Sequence, residues 1–354
     1  MNERTMTINR TICIFLLAAL PAFVAGAESF RVGELEAPRG QRVSGFLPVP
    51  EGVDAGSEIP VTIMHGANDG PVLALIAGTH GYEYPPITAL QSLRDEIDPA
   101  SLSGTIIMVH IANMPSFLGR TVYYSPVDGQ NLNRMYPGDP DGTSSQRIAH
   151  EITTKVIDRA DYLIDLHAGD GNEALRPYVY MPVTGNAELD AKTRGLALAF
   201  GLDHIVMDQR AADASQPVRF TDQTALVRGI PAITTETGQS GSNDPYWVGL
   251  AEAGVHNVLR HLNMLPGDER VNKGVTWLAD YQVIASPKSG IFRPVTKDGY
   301  VVTEGALLGV LVDFFGDEIA EIRAPFSGVV NYVISTPPVS EGEPVAMLSR
   351  ILDQ

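Results

Sequence analysis

Apolar residues follow two alternating patterns between residues 61 and 238. Short runs that are apolar at successive positions are typical of strands covered by helices on both faces of a parallel sheet. The longer segments between them repeat apolar residues at helical spacing. The predicted strands are 71–77, 105–111, 161–166 and 231–235, and the predicted helices are 84–96, 144–159, 187–200 and 247–262. The alternation predicts an α/β fold with a largely parallel sheet.

The pattern changes around Leu265-Pro-Gly-Asp268, where the helical spacing stops. From residue 276 onward the chain consists of short strand-like runs separated by Gly and Pro, which is typical of hairpins. We therefore expect a first domain over residues 28–267, with its core beginning near residue 59. A C-terminal, all-β, barrel-like domain is expected over residues 268–354.

The first 27 residues have the features of a secretory signal peptide. Arg4 and Arg10 precede an apolar stretch that ends in Ala25-Gly-Ala27. The stretch is about 14 residues long, whereas a membrane-spanning helix needs about 20. We therefore expect cleavage after Ala27 and a soluble protein that is periplasmic or secreted, with no membrane contact after cleavage.

Charge and cysteine content limit the partners and the catalytic groups that the protein can have. The formal net charge is −17 and no run of Lys or Arg offsets it, which argues against nucleic acid as a partner. Cys13 is the only cysteine in the sequence and lies within the predicted signal peptide. A mature chain that begins at residue 28 therefore has neither a disulfide nor a thiolate nucleophile, and any metal must be bound by His and carboxylate side chains.

Possible metal ligands follow two of the predicted strands. His80-Gly-Tyr-Glu83 comes after the first apolar strand, and Asp165-Leu-His167 ends another. Because ligands bind beyond the carboxyl ends of strands in open α/β sheets, we expect these side chains to converge. A catalytic zinc ion takes three protein ligands of this kind and keeps one position for water. The alternative is a packed histidine with Glu83 as a solvated carboxylate at a helix start.

Two further motifs suggest roles in catalysis and substrate binding. Glu236 ends the fourth apolar strand, where a carboxylate could activate water, although an exposed strand-end glutamate is the alternative. Asn131-Leu-Asn133-Arg134 lies in a loop of turn-forming residues. The guanidinium of Arg134 could bind a substrate carboxylate through two parallel hydrogen bonds, and the alternative is an ordinary surface salt bridge.

These four motifs, in this order, resemble those of the succinylglutamate desuccinylase and aspartoacylase family, within the zinc carboxypeptidase-like clan. The resemblance runs from about residue 59 to the C-terminus. It implies a mixed, mostly parallel sheet with helices on both faces, and one zinc ion per chain bound by His80, Glu83 and His167. It also implies Glu236 as general base and acid, and Asn133 with Arg134 as the residues that bind a substrate carboxylate.

The sequence departs from that family at one position. Relatives often carry an arginine just before the tyrosine that is Tyr123 here, where it helps to polarise the scissile carbonyl, and this chain has Val122. Arg120 is the candidate substitute, and a surface arginine is the equally weighted alternative.

The C-terminal region resembles a lipoyl or biotinyl barrel-like module. It has no lysine between Asp298 and Gln354, so it cannot carry either group. We expect it to wall the active-site entrance or to mediate assembly.

The leading hypothesis is an exported zinc hydrolase that cleaves the amide bond of a small N-acyl amino acid-like, carboxylate-bearing substrate. One alternative is a periplasmic zinc carboxypeptidase or amidase acting on peptides. The other is a non-catalytic family member that binds a ligand. The sequence leaves the acyl group, the amine portion and a homo-oligomeric state open.

Overall fold

A computed structural model describes residue 1 and residues 28–209, 217–270, 272 and 274–352. The predicted signal peptide, apart from Met1, lies outside the described residues. Within the described part of the chain, no helix combines the length and apolar character needed to cross a bilayer.

The strands of the first two thirds of the chain are β1 (Ser29–Val32), β2 (Leu35–Pro38), β3 (Gln41–Val49), β4 (Ser57–His65), β5 (Asn68–Ala77), β6 (Ser103–Val109), β7 (Tyr162–His167), β8 (Glu173–Leu175), β9 (Tyr178–Pro182), β10 (His204–Asp208) and β11 (Ala232–Glu236). The later strands are β12 (Thr276–Ala285), β13 (Gly290–Pro294), β14 (Val301–Val302), β15 (Leu307–Val312), β16 (Glu318–Arg323), β17 (Gly328–Ile334), β18 (Pro338–Val339) and β19 (Pro344–Ile351). The helices are α1 (Tyr84–Glu96), α2 (Met114–Gly119), α3 (Ser144–Lys155), α4 (Ala187–Phe200), α5 (Thr221–Leu226) and α6 (Pro245–His261), with 3₁₀ turns at Leu132–Arg134 and Ile157–Arg159.

One long mixed sheet organises the described residues. Its strand order is β14-β17-β19-β12-β10-β9-β11-β7-β5-β6-β4-β3. Strand β8 also belongs to this sheet, where it pairs with β17 outside the linear order. Between β6 and β12 the neighbouring strands are parallel, except for the antiparallel pair of β9 and β11. The predicted mixed, mostly parallel sheet is therefore confirmed.

Alternate residues of the central strands face two different hydrophobic cores. Leu73 and Leu75 of β5 lie in one core with buried residues of α1, α4 and α6. Ala74 and Ile76 of the same strand lie in the other core with buried residues of α3 and α5. Since side chains alternate across a strand, helices cover both faces of the sheet, as the continuous apolar runs predict.

Helix boundaries agree closely with the sequence pattern, with two differences. The predicted helices 84–96 and 187–200 match α1 and α4. The predicted helix 144–159 is divided at Val156 into α3 and a 3₁₀ turn. The last helix, α6, begins two residues earlier than predicted, where Asp244 accepts a capping hydrogen bond from the Tyr246 amide and a proline occupies the first turn.

The C-terminal β region extends the long sheet. Strand β12 pairs in parallel with β10 and antiparallel with β19, and β17 and β14 follow. The remaining strands form a second, antiparallel sheet in the order β16-β15-β13-β18. A hydrophobic core containing Phe292, Leu311 and Val330 includes residues of both sheets. The pairing of β12 with β10 places the C-terminal strands beside the central strands.

Candidate metal centre

Three strand ends meet at one edge of the central sheet. β7 ends at His167 and β11 ends at Glu236, and these two residues are paired in register. His80 follows the end of β5, after a turn at Gly78 with a left-handed φ of 69°. A side chain at Gly78 would place its Cβ 2.8 Å from the Cα of Ile111, so the turn requires glycine for space as well. The local backbone thus brings the separate motifs together.

Glu83 precedes α1 but does not cap it. Its side chain makes no capping hydrogen bond and the residue is 3% exposed. Oε1 lies 2.6 Å from Nδ1 of His80, and Oε2 lies 2.8 Å from Nδ1 of His167. The carboxylate therefore lies between the two imidazoles, which argues against a solvated helix-start glutamate.

The outer nitrogen of each imidazole, Nε2, has a polar neighbour. Nε2 of His80 lies 3.2 Å from Oδ1 of Asn131, and that oxygen is identified as the acceptor because it also accepts the Asn133 amide. Nε2 of His167 lies 3.0 Å from Oδ2 of Asp165. With the proton on Nε2, each ring would direct the lone pair of Nδ1 towards Glu83, where a metal ion could accept it.

Two imidazole nitrogens and a carboxylate thus converge on one point. His80, Glu83 and His167 are all buried, and each offers a ligand atom within 4.8 Å of the others. Oε2 of Glu83 is buried and, among the described residues, has no hydrogen-bond partner of standard geometry. A cation placed between two imidazole nitrogens and a carboxylate is stabilised by them. Imidazole and carboxylate are also ligands that zinc takes. This group could therefore bind a metal ion.

The pKa values of the three side chains reflect the charges that surround them. Burial alone would lower the pKa of both histidines, but Glu83 raises the pKa of His80, and Asp165 and Glu83 raise that of His167 well above its usual value. Burial alone would raise the pKa of Glu83, yet the two imidazoles lower it to about 2. Glu83 and the two imidazoles therefore stabilise one another's charged forms.

Glu236 lines the same pocket as the three possible ligands. Its Oε2 is buried and, within the described part of the chain, lacks a hydrogen-bond partner. Burial raises the pKa of Glu236 well above its usual value, and His167 opposes that shift. A carboxyl group with raised proton affinity, next to a metal site, is suited to accept and return a proton.

The pocket beside these residues has a volume of about 220 Å³. Asn133 and Arg134 line it next to the possible ligands. The C-terminal β region contributes another part of its wall, through Tyr281, Val283, Tyr332 and Met347. Walling the pocket was one of the two roles that the sequence left open for this region.

Comparison with known proteins bears on this site. The model of the succinylglutamate desuccinylase/aspartoacylase catalytic domain matches residues 69–262, which is more than half of the chain. The chain belongs to this family. The family resemblance inferred from the four motifs is therefore confirmed. Membership of this family identifies the chain as a hydrolase.

Similar proteins agree with the family assignment. The chain is 30% identical to an N-alpha-acetyl-L-2,4-diaminobutyric acid deacetylase from Halomonas elongata, over 87% of this chain and 92% of that protein. A crystal structure of a succinylglutamate desuccinylase from a Silicibacter species matches with a TM-score of 0.79 and 26% identity, covering 89% of this chain and 97% of that one. The product-bound structure of the ectoine utilization protein EutE from Ruegeria pomeroyi matches with a TM-score of 0.81 and 25% identity, covering 92% of this chain and 99% of that one.

The position that departs from the family pattern lies near the site, but Arg120 does not line the pocket. Arg120 ends α2 with a left-handed φ of 51° and is exposed. Val122 lies instead in a separate groove with Tyr82 and Tyr124. Whether Arg120 replaces the missing family arginine stays a prediction.

The structure adds two site residues that the motifs did not indicate. The ring of Tyr123 packs edge-on against His80, with centroids 5.5 Å apart, and its hydroxyl donates a 2.6 Å hydrogen bond to Glu173. Glu173 lines the pocket, and burial raises its pKa. The available sequence signal was a second acidic residue, six positions after His167.

Proposed function

We propose that this family member is an exported, zinc-dependent deacylase that hydrolyses the amide bond of small N-acyl amino acids. The observation that carries the proposal is the convergence of two Nδ1 atoms on the carboxylate of Glu83, in a pocket that also contains Glu236. Convergent ligands of this type, with a proton acceptor beside them, are what hydrolysis of an amide by water requires.

The site residues have separate roles in the proposed reaction. His80, Glu83 and His167 would hold zinc, whose Lewis acidity activates water and polarises a carbonyl group. Glu236 removes a proton from the attacking water and delivers it to the nitrogen that leaves. The C-terminal strands form the pocket wall beside this step.

Arg134 and Asn133 are proposed to bind the carboxylate of the amino acid portion. Both line the pocket next to the possible ligands. The volume of about 220 Å³ is below the usual 300–1,000 Å³ of drug-sized ligand sites, which suits a molecule as small as an acetylated amino acid. The named activity of the Halomonas elongata relative supports the same substrate class.

Export is proposed from the pattern of the first 27 residues. Expression of the full chain in a Gram-negative host, followed by cell fractionation and N-terminal sequencing, tests it. A periplasmic protein that begins at Glu28 supports export. An uncleaved cytoplasmic chain contradicts it without affecting the proposed chemistry.

The proposed activity is tested on the mature protein by measuring zinc content and amine release from a panel of N-acyl amino acids and short peptides. We expect about one zinc per chain and release from acyl amino acids. Release from peptides alone would assign a carboxypeptidase instead. A protein that binds no metal after zinc reconstitution contradicts the proposal.

Glu236→Gln separates catalysis from simple ligand binding. We expect kcat to fall by about 10²–10⁴-fold while zinc stays bound, because only the proton transfer is removed. Glu58→Gln, on an exposed position of β4, is the matched control and should retain activity. Equal kcat in the wild type and Glu236→Gln contradicts the assigned role.

A further inference from the structure

The start of α5 contacts both residues of the Asn133–Arg134 pair. The amide and the hydroxyl of Thr221 each donate a 3.1 Å hydrogen bond to Oδ1 of Asn133. The guanidinium carbon of Arg134 lies 4.5 Å from the ring centroid of Phe220. Two consecutive residues therefore contact two consecutive residues that lie 86–88 positions earlier in the chain.

The contacts of Thr221 determine which way the Asn133 amide points. A backbone N–H can only donate, so the Asn133 atom that faces Thr221 must be the oxygen. The two donors occupy both lone pairs of that oxygen, and rotation of the amide would break both hydrogen bonds. The Nδ2 group is thereby turned the other way, where it lies 3.4 Å from Nε2 of His167, the ring nitrogen that faces away from Glu83.

Phe220 restricts the guanidinium of Arg134 in a similar way. The ring lies within the distance at which a cation is attracted to an aromatic face. Nη1 of Arg134 also donates a 2.7 Å hydrogen bond to the carbonyl of Asn133. An exposed arginine would otherwise sample many rotamers, so these contacts reduce the freedom that substrate binding must remove.

The supporting helix is itself firmly held. The carbonyl of Phe220 accepts hydrogen bonds from the amide and the hydroxyl of Thr224, at 3.0 and 2.9 Å. Ala225 and Leu226 are buried in the core beneath β7 and β11. Thr221 is fully buried. The start of α5 is therefore a fixed support.

We infer that Phe220 and Thr221 are positioning residues for substrate recognition: Thr221 fixes the orientation of the Asn133 amide, and Phe220 fixes the Arg134 guanidinium. The inference rests on the proposed function, in which Asn133 and Arg134 bind a substrate carboxylate. Selectivity for substrates that carry this carboxylate then depends on α5, although neither positioning side chain needs to touch the carboxylate.

Thr221→Val, which keeps the shape but removes the hydroxyl, tests the first contact. We expect KM for an N-acyl amino acid to rise about tenfold, with a smaller change in kcat, because one hydrogen bond to Asn133 is lost. The selectivity over the matching carboxamide substrate should fall, and Thr221→Ser should restore it. Thr193→Val is the matched control: that residue is also fully buried, and its hydroxyl has no partner among the described residues.

Phe220→Leu and Phe220→Tyr test the second contact. Leu keeps apolar bulk without an aromatic face, and Tyr keeps the face. We expect Leu to raise KM for the carboxylate substrate about three- to tenfold, and Tyr to remain close to the wild type. An equal effect of the two substitutions overturns the assigned role of Phe220.

Crystal structures of the zinc-loaded wild type and Thr221→Val give a readout that does not depend on activity. The variant keeps the amide donor of residue 221 and loses only the hydroxyl donor, so displacement or disorder of the Asn133 side chain supports the inference. An Asn133 side chain that keeps its wild-type position and order overturns it, as does a KM equal to that of Thr193→Val. A wild-type enzyme that does not prefer carboxylate substrates contradicts the proposed function instead. The crystal structures still test, independently of activity, whether Thr221 positions the Asn133 amide.

Discussion

Oδ2 of Asp165 lies 3.0 Å from Nε2 of His167, on the side of the ring opposite the nitrogen that faces Glu83. Asp165 is fully buried, two residues before His167 on β7. An acidic neighbour of this kind fixes the tautomer and orientation of a ligating imidazole and increases its basicity. The two residues thus act as one unit in the possible metal site.

Asp165→Asn should weaken zinc binding without abolishing it. The shape is retained and the charge is lost, so we expect the Kd for zinc to rise about 10–100-fold. Competition with a chromophoric chelator measures this change. Asp158→Asn, which affects a surface ion pair with Arg228, is the control and should leave Kd unchanged. Equal zinc affinities of Asp165→Asn and the wild type contradict the role of Asp165.

Arg134→Ala should raise KM for N-acyl amino acids by about 10–100-fold, because a charged hydrogen-bonding group in the pocket is removed. Arg134→Lys keeps the charge but not the planar fork, so an intermediate KM is expected. Steady-state kinetics on carboxylate and carboxamide substrates measure both effects. Arg323→Ala, on a surface pair with Glu321, should match the wild type. An unchanged KM for Arg134→Ala would exclude the proposed carboxylate contact.

The possible metal ligands could be predicted from sequence because their signals are local. His80 and Glu83 lie three residues apart after one apolar strand, and His167 ends another. Parallel pairing then brings such strand ends to the same edge, and the observed register of His167 with Glu236 follows from it. Each of these predictions required only an apolar run typical of a strand and the residues directly after that run.

The support of the Asn133–Arg134 pair could not be predicted in this way. α5 has only six residues, which is too short for helical periodicity to identify. Its contacts with Asn133 join residues 88 positions apart, and nothing local specifies them. The pairing of β12 with β10 could not be predicted either, because strand patterns predict strands but not which strands pair.

Arg147→Met should destabilise the fold by about 3–5 kcal/mol, because removal of a buried cation leaves its acceptors unpaired. Arg147 is 2% exposed and pairs with Asp54 at 2.7 Å. It also donates to the carbonyls of Pro50, Asp54, Ala55 and Gly142. Urea denaturation measures the change. Arg31→Met, at an exposed pair with Glu36, should cost less than about 1 kcal/mol; equal costs for the two variants contradict the prediction.

His110 should make the protein less stable in mild acid. Burial, with a smaller contribution from Arg94, lowers the pKa of His110 from 6.5 to about 4. Nε2 contacts the Thr62 hydroxyl at 2.8 Å, and the buried Nδ1 has no partner among the described residues. Since the unfolded chain binds this proton more readily, the free energy of unfolding falls as pH decreases from 6.5 towards 4, by up to about 3 kcal/mol.

Urea denaturation of the wild type and His110→Gln at several values between pH 7 and pH 4 isolates this contribution, because other titrating groups are common to both proteins. The wild type should lose more stability than the variant, and the gap should widen steadily below pH 6.5. A difference that stays constant over this range would show that His110 titrates alike in the folded and unfolded states, contrary to its burial beside Thr62.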